Sequence, residues 1–169
     1  MSNSIIRRQE SNTGILSLTL GSQGKIDEAI SYYRSALRIK SNDEKARNNL
    51  GTALARMGRY DEAEGQFQEA LKINPENADA YNNIGSALAR QGKVVESLGY
   101  FEKALQLDHE HAMAHNNMGL ALANLGRLDE AVDHFMKALE VRPDYREAYD
   151  NLNVLFNKIK IIPKASVNP

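Results

Sequence analysis

Gly24, Gly58, Gly92 and Gly126 follow one another at a constant step of 34 residues, and that step limits the possible folds more than any other feature of the chain. Ala36, Ala70, Ala104 and Ala138 keep the same step, as do Leu37, Leu71, Leu105 and Leu139. An aromatic ring recurs as Tyr33, Phe67, Phe101 and Phe135, and a small residue as Ala29, Ala63, Ser97 and Ala131. A period of this length means copies of one supersecondary unit, none of which can bury its apolar face alone. The phases divide the chain into a tail (1–9), units at 10–43, 44–77, 78–111 and 112–145, a last partial unit at 146–162, and a tail (163–169).

Each unit reads as two helices. In YNNIGSALARQG, Tyr81, Ile84, Ala87, Leu88 and Gln91 recur at three- and four-residue steps, and Gly92 then ends the run. The second helix opens on Asp27-Glu28, Asp61-Glu62 and Asp129-Glu130, carboxylates suited to the positive end of a helix dipole. It closes near Pro75 and Pro143, which cannot continue it. Ser41 and His109 stand at the other two closures, where looser junctions are expected. Gly51, Gly85 and Gly119 on first helices, and Ala63 and Ala131 on second helices, let the pair approach closely, while Ala70 makes room for the neighbouring ring.

The two ends depart from the pattern. The first helix, ESNTGILSLTLGSQ, carries Gly14 and Gly21, each costing about 1 kcal/mol relative to alanine. Leu16, Leu18 and Leu20 alternate as in a strand, yet the segment aligns as a first helix; fraying or exchange with a neighbouring molecule is expected there. In the last unit Tyr149, Leu152, Leu155, Phe156 and Ile159 form an apolar stripe, with Asn153, Asn157, Lys158 and Lys160 polar. This predicts a single covering helix. Asn153 stands where the other units have a small residue, and Ile161 and Ile162 leave an apolar end that favours a homo-oligomer through chain ends.

Composition excludes several classes. With 21 basic and 22 acidic residues the net charge is -1, so no nucleic-acid partner is expected from bulk charge. The apolar runs are too short for membrane insertion, and MSNSIIRRQESN lacks the apolar stretch of a secretory signal, so a cytoplasmic location is expected. There is no cysteine, hence no disulfide framework or thiolate chemistry. The chain has no Gly-rich phosphate loop and no nucleophile elbow, and helix starts account for its acidic pairs; no enzyme activity and no cofactor are expected. His109, His111 and His115 in HEHAMAH have spacing that zinc could use, but no nearby cysteine completes the set and the cluster lies at an inter-unit junction, so it reads as a polar junction and no metal is assigned. His115 is expected to pack where Tyr81 and Tyr149 pack, and His134 to lie on the surface.

The phases resemble the tetratricopeptide repeat family over about residues 10–145 plus the tail helix. The family's leucine-glycine pair appears as Leu50-Gly51, with Ile84-Gly85 and Met118-Gly119 at the same phase, and its later alanine, aromatic and alanine positions follow in order. The resemblance implies an all-α, right-handed superhelical solenoid of antiparallel helix hairpins: four units and a C-terminal capping helix. It also implies a non-enzymatic module that binds a protein or peptide in a concave groove lined by the first helices.

The most repetitive polar feature is a column of amides: Asn48-Asn49, Asn82-Asn83 and Asn116-Asn117, continued by Asp150-Asn151. Asparagine is a poor mid-helix residue, but its amide both donates and accepts. Such a row can hold the backbone of an extended peptide, or it can stitch neighbouring units together. The column is similar to the asparagine ladder in the tetratricopeptide arm of O-linked N-acetylglucosamine transferases, which implies that Asn49, Asn83, Asn117 and Asn151 face the groove. Arg56 and Arg90, with Asn124 at the same phase, either take an acidic group or are solvated helix residues. Ala55, Ala89 and Ala123 leave space, Thr52 and Ser86 add hydroxyls, and Leu120 and Val154 make the C-terminal end more apolar. The candidate peptide-binding set is therefore Asn48, Asn49, Asn82, Asn83, Asn116, Asn117, Asn151, Arg56 and Arg90. A relative subfamily clamps chaperone tails with a lysine at the position of Gly14, so that ligand is not expected here. The leading function is a scaffold for a peptide or protein segment; the alternatives are a self-associating module, or the recognition arm of a larger enzyme such as a glycosyltransferase.

Overall fold

The computed structural model describes residues 25–161. Every regular element among them is a helix: α1 (Ile26–Ile39), α2 (Glu44–Arg56), α3 (Tyr60–Ile73), α4 (Ala78–Arg90), α5 (Val94–Leu107), α6 (Ala112–Asn124), α7 (Leu128–Val141) and α8 (Arg146–Ile161). The first helix expected within 10–43, with Gly14, Gly21 and Gly24, lies outside the described residues, as do Ile162 and the two tails. The described residues fall into two compact units that divide between Ala87 and Leu88, inside α4.

The glycine phase has a conformational cause. Gly58, Gly92 and Gly126 adopt φ of 73°, 82° and 77°, a region closed to most side chains. In each case the glycine N–H donates to the carbonyl three residues back, and the next residue's N–H reaches the carbonyl five back, as in Gly58 to Ala55 and Arg59 to Leu54. That double closure satisfies the last carbonyls of the first helix and reverses the chain. The second helix then starts without a side-chain cap at Arg59 or Arg127. Instead each arginine makes a forked bond to the carboxylate three residues on, Arg59 to Glu62 at 2.6 and 2.7 Å and Arg127 to Glu130 at 2.7 and 2.6 Å.

First helices are capped differently. Asp43 accepts the Ala46 N–H at 3.0 Å, Asn77 the Ala80 N–H at 2.9 Å, and His111, through Nδ1, the Ala114 N–H at 3.3 Å. The turn before each cap does not depend on proline. Asn74 accepts the Glu76 N–H beside Pro75, and Asp108 accepts the Glu110 N–H beside His109. The same backbone bonds, Asn77 to Asn74 and His111 to Asp108, complete both turns. The junction at His109 therefore carries the closure seen at Pro75.

In the first unit α2 packs against α1 and α3. Leu50, Leu54, Ala63, Phe67 and Ala70 are buried there. The Phe67 ring lies so close to Gly51 that a Cβ at that position would come within 2.5 Å of it. In the second unit α6 packs against α5 and α7, and α8 against α7 and α6. Its core joins Leu98, Phe101, Met118, Ala121, Leu122, Ala131, Phe135 and Leu155. A Cβ on Gly119 would come within 2.8 Å of Phe135. Both hairpins thus meet at a glycine facing an aromatic ring; the sequence reading expects a close approach at these glycines but assigns the room for the ring to Ala70.

Candidate functional site

In the first unit the amides form a chain. Asn82 is 3% exposed and its Nδ2 reaches Asn83 Oδ1 at 3.5 Å. Asn83 Nδ2 donates to Asn48 Oδ1 at 3.1 Å, linking α4 to α2. At the foot of the same two helices Asn77 donates to the Glu44 carboxylate. Thr52 turns its hydroxyl back to the Asn48 carbonyl at 3.0 Å. Asn49 and Arg56 remain: neither bonds to a described side chain, and with Thr52 and Ala53 they line a small hollow of about 40 Å³ completed by Ile26, Ala29 and Tyr33 of α1. Their spacing of three, four and seven residues puts them on one face of α2. A hollow this size takes a water or the tip of one side chain, not a cofactor.

In the second unit Asn151 Nδ2 donates to Asn116 Oδ1 at 2.9 Å, linking α8 to α6 by the same step of 35 residues. Asn116 is wholly buried, and its Nδ2 closes no full hydrogen bond. The phenol of Tyr145 is pushed up by burial and by Glu147, against the pull of Arg142 and Asn116. The Arg142 guanidinium sits over the Tyr145 ring at 3.6 Å. Asn117 is half-buried and Arg90 exposed. Leu120 and Val154 are exposed apolar residues of α6 and α8.

The candidate residues therefore divide by role. Asn83 bonds Asn48 in one unit and Asn151 bonds Asn116 in the other, each pair bridging successive first helices, while Asn82 bonds Asn83 on its own helix. Asn49 and Arg56 are gathered on an accessible hollow. Sequence alone left bridging and ligand contact open for the whole column; the structure shows the bridge for Asn48, Asn83, Asn116 and Asn151.

The histidines do not act as a cluster. His109 is exposed, His111 caps α6, and His115 is buried. His134, expected on the surface, is instead half-buried, because its ring meets His115 with Nδ1 to Nδ1 at 3.0 Å. The sequence reading missed this pair: positions 115 and 134 share phases with Tyr81 and Tyr100 and with Arg47 and Gln66, so no recurring residue type marks the contact. Burial lowers both imidazoles below their ordinary value, against opposing effects from the His109 carbonyl and Asp108 at His115 and from Asp133 and Glu130 at His134.

Among the described residues no helix is long and apolar enough to cross a membrane. Profiles of the tetratricopeptide repeat match residues 20–58, 48–108 and 112–145, together most of the chain. The chain belongs to the tetratricopeptide repeat family. No curated protein matches it in sequence. Among solved structures it is similar to MamA residues 41 to the end from Desulfovibrio magneticus RS-1, with a TM-score of 0.71 and 22% identity over 90% of this chain and 86% of that one. It is also similar to YrrB, described as a TPR protein with an unusual peptide-binding site, with a TM-score of 0.61 and 28% identity over 85% of this chain and 74% of that one. A third is the first TPR of Spaghetti (RPAP3) bound to the HSP90 peptide SRMEEVD, with a TM-score of 0.65 and 24% identity over 69% of this chain and 93% of that one.

Proposed function

We propose that the chain is a non-enzymatic scaffold, working in the cytoplasm, that holds a peptide or protein segment on the faces of its first helices. One observation carries this: Asn49 and Arg56 share an accessible hollow on α2 and bond to no described side chain, while the other paired amides hold the repeats together. The Asn49 amide suits a peptide backbone, and the planar Arg56 guanidinium suits an acidic side chain or a chain-terminal carboxylate. Asn117 and Arg90 extend the same phases into the second unit. That YrrB and the RPAP3 repeat are described with peptides supports the reading.

The test is partner capture with the wild-type chain and with Asn49→Ala, Arg56→Ala and Asn117→Ala. Captured partners should be lost from the Asn49→Ala and Arg56→Ala variants while helicity by circular dichroism is unchanged. Every partner persisting on all the variants would reject the reading.

A specific observation favours a second reading, self-association through the C-terminal end. On α8, Tyr149, Val154 and Phe156 are 57%, 67% and 41% exposed. Sedimentation over a wide concentration range tests it, and a strict monomer throughout would reject it. The amide column also supports a recognition arm of a larger enzyme such as a glycosyltransferase, an idea that a parent reading frame with no fused domain would reject.

A further inference from the structure

The hairpin of α6 and α7 contains a pair of imidazoles that partner binding does not use. His115 and His134 meet Nδ1 to Nδ1 at 3.0 Å, with ring centroids 5.2 Å apart and planes tilted by 39°. His115 Nε2 lies 3.1 Å from the His109 carbonyl oxygen. A carbonyl can only accept, so that nitrogen carries a proton. Neutral His115 then offers a lone pair at Nδ1, and His134 Nδ1–H donates to it. One backbone carbonyl thus fixes both tautomers.

This arrangement accepts one proton and resists the second. The first goes to His134 Nε2, which leaves the bond between the rings intact. The second must go to His115 Nδ1, where it meets the His134 Nδ1–H across 3.0 Å with no acceptor between them. We propose that the His115–His134 pair is a proton-operated latch that holds α6 to α7 while it carries at most one extra proton and releases them when both rings are charged.

The surroundings of the latch are mixed in charge. His111, which caps α6, and Lys137 on α7 disfavour charge on His115, while Asp108 in the turn before α6 favours it. On α7, Asp133 and Glu130 favour charge on His134 and Arg127 opposes it. Glu130 is bonded by Arg127, and Glu140 by Lys137 at 2.6 Å; neither carboxylate bonds to either imidazole. From α5, Glu102 acts on Arg127; from α8, Arg146 faces Asp150 at 3.9 Å and Glu147 acts on Tyr145. Among the described residues no third ligating side chain joins the pair, so it is suited to protons rather than a metal ion.

The latch belongs to this hairpin alone by residue type. The same phases carry Arg47 and Gln66 in one repeat and Tyr81 and Tyr100 in another, so neither of those repeats sets two imidazoles face to face. Its position also matters. His115 precedes Asn116, which receives the Asn151 bond, and lies one turn before Gly119, where Phe135 packs.

The experiment uses the full chain. Nitrogen-15 imidazole spectra across pH report tautomer and titration, and amide hydrogen exchange, corrected for intrinsic rates, reports release. The expected spectra show His115 protonated at Nε2 at neutral pH and both rings titrating below about 6.5. Exchange in α6 and α7 should rise at least about tenfold on acidification, the equivalent of one pKa unit of differential proton binding. His134→Gln keeps an N–H donor toward His115 Nδ1 but cannot take a charge, and it should abolish that rise. A His115 ring protonated at Nδ1, or an undiminished rise in His134→Gln, would overturn the proposal. Should that variant fail to fold, the wild-type tautomer and titration still decide the matter.

Discussion

At the residue scale the closest packing is where Gly51 and Gly119 meet Phe67 and Phe135. Both rings are almost wholly buried and cannot swing into solvent. Gly119→Ala should therefore destabilise by about 1–3 kcal/mol in urea unfolding, although alanine is the better helix former. Phe135→Ala should cost about 3–5 kcal/mol through lost burial and the cavity left behind. The amides make a different prediction. Asn151→Ala strips the partner from buried Asn116 and should cost about 1–3 kcal/mol. Asn49→Ala removes no internal bond to a described residue and should leave the unfolding midpoint nearly unchanged. For the histidines the sign follows from their lowered folded-state values. Below about pH 6.5 the unfolded chain takes up protons that the folded chain resists. The contribution of His115 and His134 is thus constant above that pH and is lost as pH falls toward their folded-state values. Melting temperature followed from pH 7.5 downward should show this loss, and His134→Gln should show less of it.

At the scale of the element, most of the fold was legible in the sequence. The 34-residue phases of glycine, alanine and aromatic residues predicted the helix pairs, because each phase has a local cause: a positive φ, a close helix contact, a ring in a slot. Gly92→Ala forces a side chain into that positive φ and should cost about 1–2 kcal/mol, measurable by thermal unfolding. Caps were less legible. Asp43 and Asn77 are ordinary capping residues, but a histidine at position 111 does the same task, and a composition rule does not anticipate an imidazole there. The turn at His109 was underestimated for a related reason: Asp108, not proline, closes it. The candidate site was half legible. Repetition revealed the asparagine column, but which amide bridges and which does not depends on a register of 35 residues between neighbouring first helices, fixed only by packing. The pairing of His115 with His134 was hidden because contact between facing helices of a hairpin gives no periodic sign when it occurs once.

At the scale of the whole molecule, two compact units carry the same grammar with different outer surfaces. The first presents Asn49, Thr52 and Arg56, a polar face able to read amides and carboxylates. The second presents Leu120, Val154, Tyr149 and Phe156. With a net charge of -1 and a pI near 6.4, little repulsion opposes association through apolar surface. The central claim is that a partner segment lies on the first helices and is met there by the Asn49 amide and the Arg56 guanidinium, which bond to no described side chain. Side-chain amide and guanidinium NMR of the full chain, with and without a captured partner segment, tests this most directly. The account predicts that the Asn49 Nδ2 and Arg56 resonances shift and that their protons exchange more slowly on binding. Shifts confined to the second helices α1, α3, α5 and α7, with Asn49 and Arg56 unmoved, would contradict it.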